Sequence, residues 1–447
     1  MSGPSARLIP QLPDLLSVHR KAPEAWPYLL ASEAGAPSLA RWSILFRQAG
    51  EKLLSRSLDG SSDDFLARLR LALSDSKGYS GTGPVSTLPF GGGWFVYLGY
   101  ELAGQIEQSL VLPDNGEGLP VAFAARCPAA LVFDHLKRES WLVAESPEWL
   151  EKITGEVAGV QQVRDKSLPS LPLLNIQADS PDRFISGVER IREWILAGDV
   201  FQVNLSRGWR VCADADLDAV DLYRALAAAN PAPFAGLARL PGGTVISSSP
   251  ERLVEVRDDL VQTRPIAGTR PRGVSKAQDN DLSTELLAHP KERAEHIMLI
   301  DLERNDLGRV CVSGSVEVNE LMAIESYTHV HHIVSNVRGQ LRSDRNAVDV
   351  IAAVFPGGTI TGCPKVRCME IIAELEGEGR GFYTGSMGYI GHDGSMDLNI
   401  LIRSMWVSGR EIRFRTGAGI VADSVPRAEL AETEAKARGL LQALGAD

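Results

Sequence analysis

Short turns join the strand-forming runs in the second half of the chain, and such turns close off most of the folds open to 447 residues. Runs at 244–248, 253–256 and 260–266 flank an Asp258-Asp259 turn; runs at 383–390, 397–407 and 411–416 are joined by His392-Asp-Gly-Ser and Ser408-Gly409. Connections this short cannot make the crossover that parallel strands need, so the runs pair antiparallel. Helical patterns lie between the runs without a βαβ rhythm, which predicts an α+β class rather than a doubly wound one. Ser180-Pro181 opens a helix with Phe184, Val188, Ile191 and Ile195 on one face and Gly198 at its end. Pro290 opens a second helix through about Leu302, and Pro426 opens the last.

The first half is less regular. Leu29–Ser32 and Arg41–Leu45 read as strands around a loop, Asp63–Leu73 as a helix with Ser62 as cap, and 130–134 with 140–144 as a hairpin. Gly91–Glu101 holds too many glycines for a plain strand and marks a close backbone approach. Lys166–Asp179, rich in Pro and Ser, reads as a linker between residues 1–165 and 180–447. The formal net charge of -11 disfavours nucleic acid and anionic membrane as partners. Five cysteines without a CxxC pair argue against a disulfide framework or a zinc site. The N-terminal residues have no signal-like apolar run and no stretch approaches a membrane span, so the expected location is the cytoplasm.

Chemistry-bearing groups concentrate after residue 200. Val354–Ile372 contains a Pro-Gly-Gly turn, Thr359 and Thr361, then Pro364 at the expected first position of a helix to Glu376. Glu292 with Glu295, and Glu429 with Glu432, are carboxylate pairs at i, i+3, each on one helical face. If the two faces oppose each other they could surround a hard cation; alone, each pair reads as solvated helix surface. Alternation over His329–Val337 puts Val330, His332 and Val334 on one face and His331 on the other.

These residues recur as motifs: PIAGTRPRG (265–273), HIMLIDLERNDLGRV (296–310), VHHIVS (330–335), PGGTITGCPKVRCMEI (356–371), IRS (402–404) and GAGIVADSVP (417–426). Together they resemble the chorismate-utilising enzymes, the family of anthranilate, aminodeoxychorismate, isochorismate and salicylate synthases. The resemblance implies two large, mostly antiparallel sheets packed together with helices outside, the first 165 residues packing on the catalytic sheet. It implies Mg2+ held directly by Glu295 and Glu432, with Glu292 and Glu429 supporting through water. Arg403, Tyr383 and the backbone of Gly417, Ala418 and Gly419 resemble the clamp on the enolpyruvyl carboxylate of chorismate. Thr269 and Lys436 resemble contacts near the ring carboxylate, His332 the general acid, and Thr359 the threonine at the reacting end of the ring. Ser32 and Arg41 match positions of the family's tryptophan pocket, although Glu33–Leu39 departs from the regulated pattern.

Water-using members carry a lysine base where this chain has Gln202, so the resemblance implies ammonia as nucleophile. No cysteine sits in a Gly-x-Cys-x-Gly elbow, and the resemblance implies a separate glutamine amidotransferase as partner. Two branches use ammonia. GWFVYLGYELA (93–103), His331 before His332, PGGTITG and GSMGYI (385–390) resemble the branch that aminates position 4, on the route to 4-aminobenzoate and folate. Ala267 stands where the best-known members of that branch have lysine; it and GAGIVADSVP resemble the branch that aminates position 2. A catalytically idle scaffold would need neither the glutamate pairs nor His332, Arg403 and Lys436.

Overall fold

Two antiparallel sheets carry the chain, and each takes strands from both halves of the sequence. The computed structural model describes residues 4–11, 13–34, 40–58, 63–74, 83–116, 118–160, 171, 174–326 and 330–446. The twelve-stranded sheet runs in the order Ser5–Ile9, Glu139–Ala144, Ala129–Asp134, Trp42–Arg47, Tyr28–Ala31, Phe234–Leu240, Gly243–Ser249, Ser404–Ser408, Glu411–Ile420, Gln202–Ala213 and Gly362–Cys363. Its remaining strand, Leu174–Ala178, pairs the far end of Gln202–Ala213. The ten-stranded sheet runs Ile266–Pro271, Val330–Gln340, Leu260–Thr263, Arg252–Arg257, Met396–Asn399, Ser386–Gly391, Gly93–Leu98, Ala122–Cys127 and Lys52–Ser55, with Glu317–Ser326 also on Val330–Gln340. Pairing is antiparallel throughout, as the short turns require.

The inner faces of the sheets meet in an aromatic core. Tyr28 and Phe46 from one sheet interlock with Phe95 and Tyr389 from the other, Tyr28 stacking on Phe95 with centroids 4.1 Å apart. The outer face of the larger sheet is covered by the helices Ala219–Ala229 and Pro426–Ala443 among others. Helices Phe65–Ser74, Pro290–Gly308 and Ala347–Val354 cover the smaller. Every strand of the central region is therefore buried on both sides, which explains why its runs are apolar rather than alternating.

Several expectations shift. The run at 397–407 is two strands: Met396–Asn399 belongs to the smaller sheet and Ser404–Ser408 to the larger. The chain crosses between them at Ile400–Arg403, and Arg403 takes the turn with φ 52°. Tyr383 lies in the turn before Ser386–Gly391, not in the strand. Pro364 has extended ψ, 142°, so it precedes the helix, which begins at Lys365. Of the proposed linker, Leu174–Ala178 is a strand, held because Gln202–Ala213 offers it an open edge; 166–170 and 172–173 lie outside the described residues, as do Ser62 and His329. The helix Lys276–Ala288 was not expected, since its polar sequence has almost no apolar periodicity and only Leu286 is buried. The helix from Pro290 continues to Gly308, well past Leu302.

Candidate active site

The strand Gln202–Ala213 turns Gln202, Asn204 and Ser206 toward one side and Val203, Leu205 and Arg207 toward the other. Val203 and Leu205 pack with Phe184, Val188 and Ile191 of the helix Pro181–Ala197, so the amides face inward. They meet the neighbouring strand at its glycines. A Cβ on Gly419 would stand 2.4 Å from Gln202 Nε2, and one on Gly417 would stand 2.9 Å from the Tyr383 hydroxyl and 3.0 Å from Asn204 Oδ1. Only glycine fits at both places. Ala418 points the other way, into the apolar cluster with Val203, and offers backbone alone. Among the described residues, Gln202 Oε1 and Asn204 Oδ1 are buried without a hydrogen-bond donor.

One arginine joins these pieces. Arg380, 1% exposed, donates to the carbonyls of Asn204 (2.8 Å) and Ile360 (3.0 Å), and to both oxygens of Glu376 at 2.7 and 3.0 Å. It thus ties the strand, the loop at Gly358–Ile360, the helix Lys365–Glu376 and the turn that carries Tyr383. Glu376 also accepts from Ser206 (2.8 Å) and Arg415 (3.1 Å). Burial pushes the Glu376 carboxyl up, but Arg380 and Arg415 outweigh it and the net shift is downward.

Arg403 is half-buried at the crossing between the sheets. Among the described residues no carboxylate or carbonyl bonds its guanidinium; Glu432 and Glu251 are the carboxylates that act on it, beside the Tyr383 phenol. Desolvation lowers its pKa against the opposing pull of Tyr383, Glu432 and Glu251. Lys436 Nζ stands 2.9 Å from the Gly417 carbonyl and 2.6 Å from Glu432.

Glu251 escaped the sequence reading. It lies 6% exposed just beyond the strand Gly243–Ser249, and Thr359 donates to its Oε1 at 2.8 Å. Burial raises its pKa to about 7 against the opposing pull of the Thr359 hydroxyl, Arg403 and Lys436. A lone Glu after Ser-Pro carries no spacing signal; only the fold reveals that its carboxyl is buried.

His332 lies on Val330–Gln340 opposite Thr269, and its ring donates to the Gly268 carbonyl. Burial first, then Arg403, Lys436 and His331, bring its pKa to about 4, so it is neutral near pH 7. The side chain of Thr269 lies outside what is described; its backbone is in the strand Ile266–Pro271. His331 turns away, as expected, and is fixed between Ser326 (2.7 Å) and Asp279 (2.9 Å).

The glutamate pairs sit on helices that bracket this region. Glu292 is held by Arg270 at 3.1 Å, and a Cβ on Gly268 would lie 2.8 Å from its Oε2; Glu432 pairs with Lys436 and acts on Arg403. Glu295 and Glu429 are half-buried. Among the described residues, no three His, Cys, Asp or Glu stand close enough to hold a metal ion, so the four glutamates do not form a closed cage. Their oxygen donors still suit Mg2+, which takes one or two carboxylates and completes its shell with water and substrate oxygens. Ser32 and Arg41 belong to a separate region: Ser32 donates to the Trp42 and Pro233 carbonyls, and Arg41 pairs with Asp134 at 2.8 Å while stacking on Trp42. The loop at 35–39 lies outside the described residues.

A half-buried guanidinium without an ion pair among the described residues, a lysine, two protonatable groups and inward-facing amides form a cluster whose chemistry suits a small anionic substrate. The chain belongs to the chorismate binding enzyme family, whose profile matches residues 28–442. It is 46% identical over 358 residues to an anthranilate synthase component I-like protein of Synechocystis sp., covering 80% of this chain and 73% of that one. It is 42% identical over 365 residues to aminodeoxychorismate synthase component 1 of Bacillus subtilis, covering 79% and 77%. Among solved structures, anthranilate synthase component I from Streptococcus pneumoniae TIGR4 superposes with a TM-score of 0.78 at 33% identity, over 90% of this chain and 92% of that one. No helix among the described residues is long and apolar enough to cross a membrane.

Proposed function

We propose that the chain aminates chorismate at position 4 with ammonia, giving 4-amino-4-deoxychorismate and water. The observation that carries amination is Gln202. Its side chain is a neutral amide at the inward face of the site, unable to take a proton from water, with a carbonyl oxygen that meets no donor among the described residues. Arg403, Tyr383 and the Gly417–Gly419 backbone hold the enolpyruvyl carboxylate; Lys436 and Thr269 face the ring carboxylate.

Loss of the 4-hydroxyl needs a proton. Glu251 is the better donor near neutrality, because its carboxyl is still substantially protonated there. His332, neutral in the empty site, donates a hydrogen bond and takes up a second proton to deliver only as the dianionic substrate raises its proton affinity. Thr359 orients Glu251. Glu295 and Glu432 would hold Mg2+, with Glu292 and Glu429 through water; the bound ion supplies charge neutralisation at the ring carboxylate. The naming of relatives as component I supports a partner subunit, which we take to be a glutamine amidotransferase that delivers ammonia. Position 4 is favoured by the features spread over 93–103, 331–332, 356–362 and 385–390.

A second reading, amination at position 2 with loss of pyruvate, is favoured by Ala267, which places no amine on the strand facing Ile333. The purified chain with chorismate, Mg2+ and ammonium salt separates the two. 4-Aminobenzoate formed only with added aminodeoxychorismate lyase is the expected result; anthranilate formed without it would replace the proposal by the second reading.

A further inference from the structure

Beyond the strand Gly93–Leu98, residues 99–115 pack against residues 379–385, the segment whose turn carries Tyr383. The approach is backbone on backbone. A Cβ on Gly385 would stand 2.4 Å from the Leu98 carbonyl oxygen, and one on Gly379 would stand 2.6 Å from the Asn115 amide nitrogen. Hydrogen bonds close the contact at both ends: Tyr100 N–H donates to the Gly381 carbonyl at 2.8 Å, and Gly379 N–H to the Asp114 carbonyl at 3.1 Å. Between them lies Glu101, fully buried in the helical turn Tyr100–Leu102. Its Oε1 accepts from the backbone N–H groups of Arg380 at 2.7 Å and Gly381 at 3.1 Å. The Arg380 guanidinium pairs with Glu376, so it is the backbone that Glu101 holds. The Arg380 carbonyl in turn accepts from Tyr383 N–H at 3.0 Å, and the Tyr383 hydroxyl stands beside Gly417. A chain of short contacts thus runs from a side chain of the first half of the sequence to a group facing the substrate.

We propose that Glu101 is a positioning residue for chorismate binding: by holding the Arg380 and Gly381 N–H groups it sets the turn from which Tyr383 reaches the enolpyruvyl carboxylate. The inference rests on the clamp role proposed for Tyr383. An ionised oxygen makes charge-assisted bonds, about twice as strong as neutral ones. Without it two buried donors lose their acceptor, and the turn relaxes to find another. Glu251 and His332 lie on other elements, so the chemical step keeps its groups while the hold on the substrate loosens.

The test measures kcat and KM for chorismate, with Mg2+ and saturating ammonium salt, for wild type, Glu101→Met, Glu101→Gln, Tyr383→Phe and the double variant Glu101→Met with Tyr383→Phe. Burial pushes the Glu101 pKa up to about 7, so the assays are run at mildly alkaline pH, where it is ionised. Glu101→Met is expected to raise KM about tenfold with kcat within about twofold of wild type. Glu101→Gln keeps a carbonyl acceptor and should restore most of the affinity. The double variant should bind no worse than Tyr383→Phe alone, because the hydroxyl that Glu101 places is already gone. If Glu101→Met does not fold, Glu101→Asp, with its carboxylate drawn back by one methylene, takes its place in the cycle. A lower melting temperature and lower kcat at unchanged KM would make Glu101 structural only and overturn the inference. KM increases that multiply in the double variant would overturn it too. An unchanged KM in Tyr383→Phe by itself would instead remove the clamp role, and the inference with it.

Discussion

At the scale of single residues, burial decides protonation. His332 keeps a folded-state pKa of about 4 against the ordinary 6.5, so the unfolded chain binds the extra proton first as pH falls. Stability is therefore full above about pH 6.5 and declines toward pH 4, by up to about 3 kcal/mol for one such histidine. Urea midpoints measured at pH 7 and pH 5 should show this decline in wild type and a smaller one in His332→Gln. Glu251→Gln is expected to lower kcat by about 10²- to 10⁴-fold with little change in KM, measured by product formation; unchanged turnover would remove Glu251 from the chemistry. Glu295→Gln and Glu432→Gln should each shift the Mg2+ dependence to higher concentrations while circular dichroism stays unchanged. Most of these positions were legible as motifs, because loops that hold a shared substrate keep recognisable strings. Glu251 was not: a carboxylate after a turn reads as surface until the fold shows what covers it.

At the scale of elements, the spacing of turns was a better guide than the length of runs. The hairpin Ala129–Asp134 with Glu139–Ala144 was readable because both of its runs are rich in strand-forming residues. The run at 397–407 hid a change of sheet, since both of its halves are buried and apolar and nothing in its periodicity marks the crossing. The helix Lys365–Glu376 is anchored through Glu376 to Arg380 and Arg415 rather than through its cap. Removing one partner leaves the other charge buried, so Arg380→Met is expected to cost about 3–5 kcal/mol in urea unfolding. Because Arg380 also carries the Asn204 and Ile360 carbonyls, the same variant should weaken chorismate binding, seen as a raised KM. Gly417→Ala should raise KM as well and lower stability, because its Cβ would stand 2.7 Å from the Leu205 carbonyl and 2.9 Å from the Tyr383 hydroxyl.

At the scale of the molecule, the two sheets do not divide where the sequence suggested a linker. Phe234–Leu240 pairs with Tyr28–Ala31 on one side, and Ser386–Gly391 pairs with Gly93–Leu98. A fragment of residues 180–447 would expose both edges and half the aromatic core, so it is expected to be insoluble on its own and rescued, if at all, by co-expression of residues 1–179; a soluble, monomeric fragment with native thermal stability would contradict this. The shared sheets also set a timetable. Ala31 pairs with Ala235, and at roughly 5–20 residues per second the ribosome needs about 10–40 s to make the partner after the first strand has emerged. For that interval Tyr28–Ala31 is an apolar strand with an open edge, so the nascent chain depends on whatever shields it, and yield should respond to translation speed and chaperone supply before it responds to any change at the site.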